Sequence, residues 1–328
     1  MPILRLLTLL LALAAAPARA DGFSLGLPLA CSPGIDCWIQ QYPAHGGAGE
    51  GAVDYACGQE SYAGHDGTDF RVRDLSSRVA VLAAAAGRVK AARDGAADRL
   101  VRNDADRAAV KGRECGNGVV IGHGGGFETQ YCHLRQGSVL VRPGDTVEAG
   151  SALGEVGASG EAGFPHVHLT VRQNGKAVDP FDGGPAVGAA CGIAGRPLWN
   201  ADAAGALAYN DKGDLLSAGF HRGAVDLGAL ETGAVMPENP AKDWPALVVY
   251  MWAVNLSKGD RITVTLKGPD RVDVANSVTL DRNKAQYLLF TGKRRPPGGW
   301  PAGIYYGGVT VMNGADVLLQ KQWQAQMY

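Results

Sequence analysis

Residues 165–172 read PHVHLTVR. Alternation with a period of two puts His166 and His168 on one face of a strand and Val167, Leu169 and Val171 on the other. The apolar face calls for a core. On the opposite face the two imidazoles stand about 7 Å apart, so one can ligate a metal while the other stands beside it. Working outward, residues 128–134 read ETQYCHL and supply His133, and residues 62–70 read YAGHDGTDF and supply His65 and Asp69. His65 and Asp69 would share one face of a helix, but Gly67, Thr68 and the β-branched Val72 point to a turn running into a strand. Four imidazoles and a carboxylate thus come from strand-like segments. Neutral imidazole and carboxylate suit Zn²⁺, and three protein ligands leave a fourth position for water. Alone, an H-x-H pair or an H-x-x-x-D spacing is commonplace; the ordered combination carries the weight. There is no H-E-x-x-H, so a helix-borne glutamate base is absent.

The flanking sequence is also strand-like. DFRV (69–72), VAVLAAAAGRVKAAR (79–93), GVVIGH (118–123) and LVRPGDTVEAGSALGEVG (140–157) are short β-rich runs between Gly and Asp turns. The alanines at 83–86 favour helix by propensity. Val79, Val81, Gly87 and Val89 around them favour a buried strand instead. Residues 21–60 read as an irregular leading segment with short strands such as CWIQQYP. Residues 94–114 are polar and long for a loop, either a solvated excursion or a wall of a substrate cleft. The turn pattern at 141–154 also occurs in lipoyl and biotinyl carriers, but no lysine sits at its tip to act as a swinging arm.

From about residue 197 the composition changes. Trp199, Trp244, Trp252, Trp300 and Trp323 lie there, against Trp38 alone before it. Runs such as ALVVYMWAVNL, RITVTLKGP, AQYLLFTG and GIYYGGVTVMNG, separated by turn signals, predict an antiparallel β-sandwich of immunoglobulin-like type. The expected architecture is all-β: a signal peptide at 1–20, the leading segment at 21–60, a small antiparallel metal-binding domain at 61–192 and a sandwich at 197–328.

A chain of 328 residues with 46% hydrophobic content can bury more than one core. Its 31 Lys+Arg against 32 Asp+Glu leave no basic excess for phosphates, which argues against nucleic acid as a partner. The first 20 residues carry Arg5, an apolar run from Leu6 to Ala16 and the A-x-A motif Ala18-Arg19-Ala20, which predicts export with cleavage after Ala20. The apolar run is short for a bilayer, and no later segment reads as transmembrane, so the mature chain is expected in the periplasm or outside the cell without stable membrane insertion. Oligomeric state is not legible. In an exported chain six cysteines suggest up to three disulfides. Cys115 and Cys132 fall nearly opposite on a hairpin and are the favoured pair; Cys31 with Cys37 and Cys57 with Cys191 follow by elimination.

The order H-x-x-x-D, then GNGVVIGH…TQYCHL, then GDTVEAG…GEVGASG…PHVHLTV and NGKAVDP, resembles the LytM/lysostaphin-type zinc endopeptidases from about Gly64 to Pro180. The resemblance implies a small antiparallel β-domain whose groove holds one zinc and which cuts peptide stems or cross-links of bacterial peptidoglycan. Matched motif by motif, it implies His65, Asp69 and His168 as zinc ligands and His133 and His166 as non-ligand catalytic histidines. Which of the two is the base stays open. Cys132 just before His133, and the long 94–114 segment, depart from the common pattern and bear on groove width and specificity. Other readings are a non-catalytic wall-binding or amidase-activating protein on the same scaffold, which the complete residue set opposes, and an exported module with incidental histidines. His123 is read as a turn residue, His45 and His221 as surface residues. Asn117 either braces the hairpin or faces the groove, and Tyr62 and Tyr131 are candidates to border the site.

Overall fold

The computed structural model describes residues 22–46, 51–193 and 195–328; the expected signal peptide lies outside them. Among the described residues the chain is all-β apart from three helices of one to two turns. In order it forms β1 (Cys37–Gln41), β2 (Thr68–Val72), β3 (Ala80–Leu82), β4 (Gly87–Arg93), α1 (Asp104–Ala109), β5 (Asn117–Gly124), β6 (Phe127–Leu134), β7 (Thr146–Val147), β8 (Ala152–Glu155), β9 (His166–Gln173) and β10 (Lys176–Val178). Then follow α2 (Ala201–Ala206), β11 (Asp214–His221), α3 (Leu227–Thr232), β12 (Ala246–Leu256), β13 (Arg261–Gly268), β14 (Val272–Thr279), β15 (Lys284–Arg294), β16 (Gly303–Asn313) and β17 (Asp316–Met327).

The first sheet runs β1-β2-β9-β6-β5-β4-β7, with β10 added to β9, and its pairs are antiparallel. The alternation read from PHVHLTVR holds: Val167, Leu169 and Val171 are fully buried in the core beneath the sheet. Burying each such side chain stabilises the fold by about 1.5–3 kcal/mol, so the opposite face of β9 is fixed toward the groove. Shifting the register by one residue would turn the imidazoles into the core.

Several expectations need correction. The run 79–93 is not one strand: it breaks between β3 and β4, where Ala83, Ala84 and Ala85 are buried in the core. Small side chains let the backbone of Ala84 sit against the buried Tyr131, whose hydroxyl accepts the Ala84 N–H. The segment 94–114 contains α1, capped by the Asn103 side chain, which accepts from the Asp106 N–H. The cysteines need no correction: all six are paired as expected, Cys31–Cys37, Cys57–Cys191 and Cys115–Cys132.

Beyond residue 213, a three-stranded sheet β11-β12-β15 faces a four-stranded sheet β14-β13-β16-β17. Leu247, Val249 and Met251 from one and Ile262, Val264, Val309 and Val311 from the other fill the shared core, making a two-sheet antiparallel sandwich. Alternate residues Tyr250, Trp252 and Val254 of β12 point the other way, into a cluster with Trp38 of β1 and Leu230 of α3. β12 is buried on both faces, which is why it reads as an unbroken apolar run. Trp199, Ala203 and Leu207 pack into the first core, not into the sandwich. Among the described residues, no helix is long and apolar enough to cross a membrane.

Candidate metal centre

Three neighbouring strands set the site. In the register of β2, β9 and β6, Asp69 lies across from His168 and His168 across from Cys132, while Arg71 lies across from His166. His65 comes from the turn before β2. One donor atom each from His65, Asp69 and His168 lie within 4.8 Å of one another. Asp69 Oδ1 is 2.8 Å from His168 Nδ1 and 3.1 Å from His65 Nε2, and those two nitrogens are 3.2 Å apart.

The donor set fits a cation. His65 Nδ1 lies 2.7 Å from the carbonyl oxygen of Tyr42, which can only accept, so this nitrogen carries the proton. With the proton on Nδ1, the Nε2 of His65 is left to turn a lone pair toward a carboxylate oxygen. His168 Nε2 is held by Asp66 Oδ1 at 3.2 Å and Thr170 Oγ1 at 3.0 Å, the outer partners that orient a ligating imidazole. Burial pushes the Asp69 carboxyl upward, but the imidazoles of His65, His166 and His168 more than offset it and hold it well below the usual carboxylate range. Burial lowers His168, yet its hydrogen bonds to Asp66 and Asp69 outweigh this and raise it to about 9. A proton and a metal ion compete for the same electron pair.

His133 and His166 stand beside this trio with ring centroids 4.6 Å apart. Both anchor Nδ1 on a backbone carbonyl, His133 on Ser159 and His166 on Phe164, each at 2.8 Å. Both therefore present an unprotonated Nε2. His166 Nε2 lies 3.5 Å from Asp69 Oδ1. Burial, above all, holds both imidazoles below their ordinary pKa, so both are neutral at pH 7.

His133 reaches the groove by a break in strand geometry. Along β6, Tyr131 and Leu134 face the core, while Cys132 and His133 both line the groove. Two adjacent residues on one face require the alternation to fail, and His133 has φ +65°, a left-handed backbone rare for a non-glycine residue. Its N–H donates to Cys115 O at 2.8 Å and its carbonyl accepts from Gly157 N at 3.1 Å. The groove is a cleft of about 450 Å³ lined by Tyr62, Asp66, Glu114, Gln130, Glu161 and Arg172 around His133 and His168.

The remaining expectations divide. Tyr62 borders the site, stacked on His65 at 4.5 Å and half exposed. Tyr131 does not; it is a core residue. Asn117 braces the hairpin, donating to Ala96 O and Leu134 O. His123 bonds Ala86 O and Thr129 Oγ1 away from the site. His45, expected at the surface, is fully buried, with Nε2 2.9 Å from Asp179 and 3.8 Å from Asp182. His221 is half-buried, 3.3 Å from Glu238. Cys31, Asp36 and Cys37 also cluster, but both sulfurs are taken by a disulfide. Asp66 lies in sequence between the expected ligands His65 and Asp69, but no spacing rule marks it as a partner of His168. The carbonyls of Tyr42, Ser159 and Phe164 carry no sequence signal.

Residues 63–180 match the model of peptidase family M23. This segment is an M23 peptidase domain. The M23 domain is similar to the DD-carboxypeptidase/endopeptidase Mpg of Neisseria meningitidis serogroup B, at 40% identity over 83 residues, 24% of this chain and 19% of that protein. It is also similar to an uncharacterized metalloprotease of Haemophilus influenzae, at 31% identity over 117 residues, 36% of this chain and 20% of the other. The chain thus matches about a fifth of the length of these curated relatives. A solved structure of a zinc containing peptidase from Vibrio cholerae aligns with 35% of this chain and 29% of that one, at 28% identity and a TM-score of 0.26.

Proposed function

We propose that the chain is an exported zinc endopeptidase that cuts peptide stems or cross-links of bacterial peptidoglycan. In this reading His65, Asp69 and His168 hold one Zn²⁺, and residues 61–192 are the peptidase unit, with Trp199, Ala203 and Leu207 packed onto its core and the sandwich beginning at β11. The carrying observation is the convergence of three donor atoms within 4.8 Å in a groove, with two neutral imidazoles beside them. The M23 match and the peptidase names of the relatives support the reading. The predicted signal peptide supports the location.

Bound zinc would supply a Lewis acid and lower the pKa of a coordinated water toward about 7. The chain's own part is proton handling and orientation. With Nδ1 tied to a carbonyl, each of His133 and His166 offers only Nε2, so a proton can be taken or returned at that atom alone. Their lowered pKa values keep both in the basic form at neutral pH. Both sit within one ring's reach of each other, so one can take the proton of the attacking water while the other hydrogen-bonds the developing charge or serves the leaving amine.

Whole sacculi and purified muropeptides digested by the protein and by His168→Ala, with zinc measured on both, test the proposal. The wild-type chain should bind zinc one to one and release new peptide ends. The variant should stay folded while losing both. Stoichiometric zinc without any cleavage would favour the wall-binding alternative, and absence of zinc would end the metallopeptidase reading.

A further inference from the structure

The sandwich reaches, through Arg71, the turn before β9 that anchors His166. Arg71 of β2 is fully buried, and among the described residues no carboxylate lies within ion-pair distance of it. A guanidinium removed from water without a paired carboxylate is costly, so its surroundings must offset the loss. It donates to Gln40 Oε1 at 2.5 Å and to the carbonyls of Val72 and Arg73. Its guanidinium carbon lies over two rings: Trp252 of β12, 5.0 Å from the ring centroid, and Phe164, at 5.1 Å. The Phe164 ring in turn lies against His166, tilted by 31° with centroids 4.4 Å apart, and its carbonyl accepts the His166 Nδ1–H.

A second contact reaches the same turn. Glu231 of α3, fully buried, pairs with Arg102, and Arg102 donates to the carbonyl of Gly163 at 3.2 Å. Gly163 precedes Phe164. Two separate elements beyond residue 213 therefore converge on residues 163–164, one through Arg71 and one through Arg102. The turn itself contains Gly160 and Gly163 and leaves Phe164 partly exposed, so little within it would fix the Phe164 ring.

We propose that Trp252 and Glu231 make the C-terminal region a brace for His166, with Arg71, Arg102 and Phe164 as positioning residues that hold its ring and its Nδ1–H in register with the metal ligands. This rests on the catalytic role assigned to His166 above. The brace acts on the non-ligand histidine and leaves His65, Asp69 and His168 to their own partners. Zinc binding and turnover should therefore separate.

The test uses the full-length zinc-loaded protein, with Trp252→Leu, Trp252→Phe and Arg102→Gln as variants. Arg102 is partly exposed, so its variant should fold even if a Trp252 variant does not. The readouts are zinc content, kcat and KM on a cross-linked muropeptide dimer, and Nδ1–H exchange in ¹⁵N-histidine-labelled protein. The His65 Nδ1–H, bonded to Tyr42 O, is the internal reference. Trp252→Leu and Arg102→Gln should lower kcat by about tenfold or more, with KM little changed, since a mispositioned proton carrier loses transition-state and not ground-state interactions. Exchange at His166 should quicken by about tenfold while His65 and the zinc content hold. Trp252→Phe, which restores an aromatic face, should recover most of the loss.

Unchanged kcat, or a lower kcat without faster exchange at His166, overturns the brace. So does a loss that Trp252→Phe shares in full, or one that zinc content and His65 exchange follow. If the wild-type protein neither binds zinc nor cleaves, the proposed function fails instead, and the exchange comparison still decides the brace.

Discussion

The backbone N–H of His133 donates to the carbonyl of Cys115, and Cys115 is disulfide-bonded to Cys132, the residue just before His133. The crosslink therefore fixes both sides of the left-handed residue that turns His133 into the groove. Regular strand geometry would relieve the φ of +65° by sending the imidazole toward the core.

Removing that crosslink should affect turnover more than metal binding. In Cys115→Ser/Cys132→Ser the ligands His65, Asp69 and His168 keep their partners, while His133 is free to relax. We expect zinc stoichiometry to be retained and kcat to fall by about tenfold or more, in the range of a lost acid–base group. A disulfide closing a loop of this size, 17 residues apart, stabilises by about 3 kcal/mol. Thermal unfolding with metal analysis and kinetics checks all three; full activity in the double variant would remove the positioning role.

The five polar groups of the site should split into two classes on substitution. His133→Ala and His166→Ala should each retain zinc and lose about 10²–10⁴ in kcat. Asp69→Asn should lose zinc along with activity, because it removes the one carboxylate among three facing imidazoles. Equilibrium dialysis against zinc separates the classes, and a metal-free His166→Ala would place that residue among the ligands.

Gly67 is a quieter determinant. A Cβ built there would lie 2.5 Å from His168 Nε2 and 2.6 Å from the carbonyl of Leu169, distances real side chains do not tolerate. The carbonyl belongs to the central strand, so the imidazole must yield, and with it the bond to Asp66. Gly67→Ala should keep its fold and weaken zinc binding by about 10–100-fold, as losing an outer partner of a ligand does. Unaltered affinity in a chelator competition would show that the loop moves instead.

What the sequence disclosed depended on whether the cause was local. The strand period of PHVHLTVR, and the apolar run of β12, are packing patterns written in consecutive residues, and both are found. The hairpin geometry that brought Cys115 and Cys132 together was likewise local. His45 was misplaced at the surface because its burial depends on Asp179, 134 positions away. Tyr131 is a core residue because strand alternation puts it on the opposite face from Cys132, and the left-handed break that brings His133 to the groove comes only after it. The support of His166 by Trp252 was illegible, since it passes through Arg71 and Phe164 across three segments. A bare arginine after D-F gave no hint that it would be enclosed between two rings.

Glu60 gives a test in which pH is the variable. Burial, above all, together with the nearby Asp54, raises its carboxyl to about 9 from an ordinary 4.5, despite the hydrogen bond it accepts from Asn255 Nδ2 at 2.8 Å. The native chain therefore keeps a proton that the unfolded chain releases above the ordinary value. Glu60's contribution to stability is complete below pH 4.5 and drains away as pH rises toward 9, the reverse of a carboxylate paired with a cation. Glu60→Gln keeps an acceptor for Asn255 without the ionisation. It should match the wild type near pH 4 and exceed it at about pH 8 by roughly 1–3 kcal/mol, the scale of a poorly satisfied buried group. Urea unfolding at several pH values decides the matter: parallel curves for the two proteins would mean that Glu60 is ionised in the native state at neutral pH.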